Sequence, residues 1–195
     1  GQMIMVRVNG NYYQANSQYK NLLKKWIKDY HIGGVITFSG SIHGTFYNIK
    51  KFQDWAETPL FVAADYERGL GQWLDSATLF PSNMAITATG NPDYAFQQGL
   101  VTSSEAKSIG VNIVLAPVLD INNNPDNPII NFRAYSDDAK MVSEYGNSFI
   151  SGIQKNNIFS CIKHFPGHGN TSIDSHSGLP SIPGTKEQLL ENELF

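Results

Sequence analysis

Charge is scarce in this sequence: 16% of its 195 residues are Asp, Glu, Lys or Arg, and the formal net charge is -3. No Lys/Arg run interleaved with aromatics appears, so there is no footprint for a phosphate backbone and nucleic acid is discounted as a partner. Cysteine is almost missing. Cys161 stands alone, which excludes an internal disulfide framework and leaves the redox compartment open. Its place in the apolar run Ile158 to Ile162 reads as packing. No hydrophobic stretch approaches the roughly twenty residues that a bilayer span needs, so no membrane span is expected. No signal peptide is visible either, and the chain starts Gly1-Gln2 rather than with methionine. Trimming from something longer therefore stays open, and with it the compartment: cytoplasmic, or periplasmic or secreted if a targeting segment was removed. There is no GxGxxG after the first strand. Nor is there a Walker-type loop, because Pro166-Gly167-His168-Gly169 lacks the following Lys and Ser/Thr. Neither dinucleotide nor nucleotide binding is indicated, and no cofactor is expected.

What is present suits one domain. At 41% hydrophobic content the chain can bury a sizeable core. Its 12% aromatic residues suit a pocket for rings or sugars and equally a well-filled interior. The run Met3 to Val8, closed by Asn9-Gly10, reads as a first strand. Apolar Tyr19, Leu22, Leu23, Trp26, Ile27 and Tyr30 recur at helical spacing between Ser17 and Tyr30, with lysines opposite. After Gly33-Gly34, Val35 to Phe38 form a second strand. A helix carrying Phe46, Ile49, Phe52, Trp55 and Ala56 follows, and then a third strand, Leu60 to Ala64. Asn91-Pro92 starts a helix running to Ser108. A fourth strand covers 111–121 and ends at Asp120, before a long loop holding Asn131 and Arg133. Met141, Val142, Tyr145, Phe149 and Ile153 line the next helix, and Ile158 to Ile162 make a fifth, buried strand. Thr185 and Gln188 form a capping-box pattern for a last helix through Leu189, Leu190 and Leu194. Five strands alternating with helices imply an α/β fold with a parallel sheet, either doubly wound or part of a (β/α)8 barrel.

Chemistry concentrates between Ile162 and Ser177, which holds three histidines, a lysine and an aspartate. Pro166, Gly167 and Gly169 force a sharp turn that keeps His164 and His168 near one mouth. Asp174 stands two residues before His176, so its carboxylate can hold one ring nitrogen and make the other available for proton transfer. Taken alone, Asp-x-His in a loop is more often a solvated turn than a catalytic dyad, since Asp and Ser are ordinary turn residues. The Lys163-His164 pair at a strand end adds weight, since α/β folds place ligand sites there. Asp65, directly after the third strand, can bind a hydroxyl or act on a proton. The alternative is a surface pair of Asp65 or Glu67 with Arg68. Arg133 is either a clamp for a polar ligand or a solvated loop arginine. A metal-dependent hydrolase is a second reading, with ligands from His164, His168, Asp174 and His176 and an open position for water. The neighbouring Lys163 ammonium and the irregular loop argue against it.

These residues resemble the family 3 glycoside hydrolases, in particular their bacterial β-N-acetylglucosaminidase branch. The resemblance rests on Lys163-His164-Phe165-Pro166-Gly167-His168-Gly169 followed by Asp174-Ser175-His176. Gly1-Gln2-Met3, Gly33-Gly34-Val35-Ile36, Ala64-Asp65-Tyr66-Glu67, Phe80-Pro81-Ser82 and Ala116-Pro117-Val118-Leu119-Asp120 extend it over nearly the whole chain. It implies that residues 1–195 are the N-terminal portion of a (β/α)8 TIM-type barrel, with its first five strand-helix units only. It implies a retaining, exo-acting enzyme that releases terminal β-linked N-acetylglucosamine or a related sugar. His176 would be the acid/base paired with Asp174, and Asp65, Arg133, Lys163 and His164 would hold the sugar hydroxyls. No metal is implied. Glu67-Arg68-Gly69-Leu70 departs from the Glu-Gly-Gly-Arg that the family often shows, and no sugar contact is assigned to Arg68. The family nucleophile is an aspartate on a later strand, so this chain is expected to lack it and to be catalytically incomplete alone. A non-catalytic carbohydrate-binding fragment is the third reading. Open barrel edges would favour self-association.

Overall fold

The computed structural model describes residues 1–15, 17–182 and 185–193. Its strands are β1 (Met5–Gly10), β2 (Gly34–Ser41), β3 (Phe61–Ala64), β4 (Leu74–Asp75), β5 (Ile113–Val114) and β6 (Phe159–Ser160). Its α-helices are α1 (Gln18–Lys28), α2 (Ile42–Trp55), α3 (Asn83–Thr87), α4 (Asp93–Ser108), α5 (Ala139–Gln154) and α6 (Lys186–Asn192). Among the described residues the strands form one parallel sheet in the order β1-β2-β3-β5-β6, with β4 added beside β2. Sequential strands lie side by side and helices connect most of them, which is the arrangement of a (β/α)8-type barrel opened after five strands.

Local chemistry sets the helix starts. Ser17 accepts a hydrogen bond from the Lys20 amide, Ser41 from Gly44 and Asp138 from Met141. Each satisfies a backbone donor left free in the first turn. Thr185 and Gln188 complete the expected capping box at α6, while Leu194 lies outside the described residues. The core sits between sheet and helices, around Val35, Val62, Ala64, Phe52, Leu23, Ile27, Phe149 and Ile153. On α1 only Leu23 and Ile27 are fully buried. Tyr19, Leu22 and Tyr30, read as part of its apolar stripe, are exposed, because one side of a helix contacts a curved sheet along a narrower line than the stripe is wide. Phe46 at the start of α2 is exposed for the same reason.

The fourth strand is shorter than the 111–121 expected. Its ladder covers Ile113–Val114, and beyond it the pairing with the next strand resumes as the isolated bridge Val118–Lys163. Pro117 has no N–H to give the ladder, and its peptide with Ala116 is cis. The fifth strand, β6, is not buried as expected. Phe159 is 63% exposed, and Cys161 is exposed rather than packed. β6 is an edge of the sheet among the described residues, so the side chains of its open face have no opposing layer. Phe61 on β3 shares that face and meets Phe159 edge-on, with ring centroids 6.3 Å apart. The short β4 and α3 were not anticipated, since neither is long enough to show a period.

Helices α4 and α5 pack backbone to backbone. A Cβ on Gly99 would lie 2.3 Å from the Phe149 carbonyl oxygen, and one on Gly152 would lie 2.2 Å from that of Phe96. Gly99→Ala should therefore force the helices apart and cost about 2 kcal/mol. A urea denaturation midpoint unchanged from wild type would contradict this packing.

Candidate active site

The polar residues gather at the carboxyl ends of the strands. Asp65 and Glu67 follow β3, Asp120 follows β5, and Lys163 and His164 follow β6. Lys163 is pinned through its backbone, its N–H donating to Pro117 O and its carbonyl accepting from the Leu119 amide. Its Nζ then reaches Asp65 Oδ1 at 2.5 Å and Glu67 Oε1 at 2.6 Å. Arg133 meets the same Glu67 in a fork, Nη2 donating to Oε1 at 2.7 Å and Nε to Oε2 at 3.0 Å. Its Nη1 donates to Ile129 O, and its own carbonyl accepts from Asn83 Nδ2. The carboxylate pair is held from behind, since Trp73 Nε1 donates to Asp65 O and Gln98 Nε2 to Glu67 O.

Glu67 is only 4% exposed. Burial alone would raise its carboxyl, but the Arg133 hydrogen bond and the charges of Lys163 and Arg133 outweigh burial and hold it down to about 2. The anticipated pairing of Asp65 or Glu67 with Arg68 does not form. Arg68 follows Glu67 in the chain, and its Nε is buried without a partner among the described residues. Arg133, which the sequence left between clamp and solvated loop, is a half-buried partner of Glu67.

A second cluster surrounds Asp120. One carboxylate oxygen accepts from the His168 amide at 2.6 Å and the His164 amide at 3.3 Å, and the other meets His164 Nδ1 at 2.6 Å. Asn127 fastens the same turn, its Nδ2 donating to the carbonyls of His168 and Gly169 while its Oδ1 accepts from Ile129 and Ile130. Glycine is required at 169 because a Cβ there would lie 1.6 Å from Ile121 O. His168 is buried, with Nδ1 against the Thr171 hydroxyl, and its ring stands edge-on to His164 with centroids 5.9 Å apart. The Lys163–His164 and Phe165–Pro166 peptides are cis.

Asp174 and His176 lie on a separate, exposed loop. His176 Nδ1 is 2.7 Å from Asp174 Oδ1, and the His176 amide donates to the same oxygen at 2.9 Å. Those bonds, the amide first, hold the Asp174 carboxyl below its ordinary range. His176 is 80% exposed, yet it lines one open cleft of about 420 Å³ with Asp65, Glu67, Arg68, Arg133 and Phe132. Asp120, Lys163 and His164 line a neighbouring hollow with Phe165 and Glu193. The six residues singled out from sequence are thus arranged in three groups: Asp65, Lys163 and Arg133 joined through Glu67, His164 on Asp120, and the Asp174/His176 pair at the cleft wall.

Among the described residues no three of His, Cys, Asp or Glu converge as metal ligands. The four proposed for a metal are divided, His164 and His168 on Asp120 and Asp174 with His176 on its own loop, so the metal reading loses its ligand set. Sequence reasoning missed Glu67 and Asn127. For Glu67 the available signal was a second carboxylate two residues beyond Asp65 at the same strand end. Asn127, inside a loop rich in Asn and Pro, carried none.

The sequence model described as Glycosyl hydrolase family 3 N terminal domain matches residues 1–195. Among curated proteins, Beta-hexosaminidase A of Pseudoalteromonas piscicida is 34% identical over 186 residues, 89% of this chain and 31% of that protein. The Beta-N-acetylglucosaminidase/beta-glucosidase of Cellulomonas fimi is 33% identical over 164 residues, 84% of this chain and 28% of its own length. Among solved structures, a glycoside hydrolase family 3 beta-N-acetylglucosaminidase from Paenibacillus sp. str. FPU-7 superposes with a TM-score of 0.89 at 34% identity, covering 100% of this chain and 37% of that one. The chain spans about a third of the length of these relatives.

Because Glu67 is depressed, the unfolded chain takes up its proton first on acidification. Its contribution to stability is complete above the ordinary value of 4.5 and is lost as pH falls towards about 2. Glu67→Gln, which leaves two cations short of a partner, should cost on the order of 3 kcal/mol at neutral pH. Denaturation of both proteins across pH should show the gap narrowing below the ordinary carboxyl range, and a gap independent of pH would contradict the assignment.

Proposed function

The chain belongs to the glycosyl hydrolase family 3 N-terminal domain family, and on that premise we propose that it is the sugar-binding and acid/base portion of a retaining, exo-acting glycoside hydrolase. Its substrate would carry a terminal β-linked N-acetylglucosamine, or a related sugar such as glucose, in keeping with the names of its relatives. One observation carries this reading: Lys163, Asp65, Glu67 and Arg133 form one preorganised ion cluster, of which Asp65, Glu67 and Arg133 line the cleft that His176 lines and Lys163 lines the hollow beside it. Asp65 spends one carboxylate oxygen on Lys163 and keeps the other without a partner among the described residues. That oxygen suits a sugar hydroxyl, with Arg133, Lys163 and His164 as further contacts.

In the acid step, the protonated His176 ring gives the Nε2 proton to the glycosidic oxygen while Asp174 holds Nδ1–H. The leaving alcohol departs with that proton, and the neutral ring later takes one from the incoming acceptor. A retaining reaction also needs a carboxylate nucleophile about 5 Å from the acid/base. Asp65, Glu67 and Asp120 are each engaged by a cation or by histidine N–H groups. In keeping with the family resemblance, which puts the nucleophile on a later strand, we propose that it lies outside residues 1–195 and that these residues are one portion of a longer catalytic barrel.

Release of chromophore from aryl β-N-acetylglucosaminide and aryl β-glucoside tests this. A version extended through the later strands should turn over, and His176→Ala should lower that turnover about 100-fold or more. Chelator should leave it unchanged, and the 195-residue chain should bind sugar without turnover. Full activity in His176→Ala would remove the proposed acid/base, and turnover by the short chain would contradict the missing nucleophile.

Self-association belongs to the same proposal. The open sheet face exposes Phe61 and Phe159, and apolar side chains next to an unpaired edge favour a second copy. Light scattering should find a dimer or larger species that Phe159→Lys weakens; a clean wild-type monomer would contradict it.

A further inference from the structure

We propose that Asp120 is the positioning residue that sets the tautomer of His164, an inference that rests on the sugar-binding reading above. Asp120 is fully buried, whereas the His164 side chain is 34% exposed. The two carboxylate oxygens do different work. Oδ1 accepts from the backbone amides of His164 and His168, and Oδ2 faces His164 Nδ1 at 2.6 Å. An ionised carboxylate can only accept, so Nδ1 must carry a proton. Nε2 has no partner among the described residues, and in the neutral ring it is left as an acceptor. His164 lies beside Lys163 in the hollow next to the cleft. In that tautomer Nε2 accepts a hydrogen bond from a sugar hydroxyl while the Lys163 ammonium donates one to a sugar oxygen. The two neighbouring side chains thus offer opposite hydrogen-bond roles, which suits adjacent hydroxyls on one ring.

The same geometry says what an isosteric change does. In Asp120→Asn the two backbone N–H groups claim the amide oxygen, so the NH₂ group must occupy the place of Oδ2. It then donates towards His164 Nδ1, which has to become the acceptor, and the proton moves to Nε2. The cleft side of the ring changes from acceptor to donor with no change of shape.

Two-bond 1H–15N NMR of the histidine rings in the 195-residue chain, recorded where the rings are neutral, reads this directly. Wild type should show the Nδ1–H form at His164 and Asp120→Asn the Nε2–H form. Affinity for N-acetylglucosamine should fall about tenfold, the worth of one hydrogen bond to a hydroxyl. An Nε2–H ring in wild type would overturn the proposal, and that result does not require the variant to fold. A folded variant in which His164 keeps Nδ1–H would overturn it as well. If the tautomer switches but neither protein binds N-acetylglucosamine, the positioning role stands and the sugar-binding reading fails.

Discussion

The site depends on one carboxylate. Glu67 is buried at the end of β3 and pairs with two cations that arrive from distant parts of the chain, Arg133 from the loop after β5 and Lys163 from the end of β6, while Asp65 supplies the second negative charge. Burying any one of these charges alone would be costly, and the four together offset most of that cost. The fork of Arg133 fixes Glu67 on both oxygens, and Lys163 completes the bridge to Asp65. The sheet brings the strand ends together, and the ion cluster then decides which groups stay free for a ligand: one oxygen of Asp65, the cleft-facing side of Arg133, and the side of Lys163 that lines the neighbouring hollow.

A second carboxylate organises the other half. Asp120 and Asn127 hold the turn from His164 to Gly169 by its amides and carbonyls, and Gly169 allows that turn to lie directly on Ile121. Prolines and glycines there do not make a flexible loop. They make one whose backbone polar groups are turned towards two buried side chains. The Asp174/His176 pair differs in kind, being local, exposed and reliant on a two-residue spacing. In the proposed roles, the acid/base group at the cleft wall needs access to the leaving group, whereas the sugar-binding groups need a fixed position.

Much of this was legible in the sequence. Apolar runs separated by helical periods mark β1, β2, β3, α1, α2 and α5, Asn91-Pro92 marks the start of α4, and the density of His, Lys, Asp and Gly between 162 and 177 marks the candidate site. What could not be read was pairing across the fold. Arg68 is the cation nearest Glu67 in the chain, yet Glu67 pairs with Arg133, because partners at a strand end are chosen by the neighbouring strand. Cys161 and Phe159 read as buried because an apolar run suggests a core, but the face that Phe159 shares with Phe61 has no covering layer among the described residues. Short elements such as β4 and α3 leave no periodic trace.

The central claim is that the cluster around Lys163, Asp65 and Arg133, together with His176, forms the site of a terminal sugar. Titrating N-acetylglucosamine into the isotope-labelled chain tests it most directly. Saturable shifts confined to Asp65, Arg133, Lys163, His164 and the His176 loop are the predicted result. Shifts confined elsewhere on the surface, or none at millimolar sugar, would contradict it.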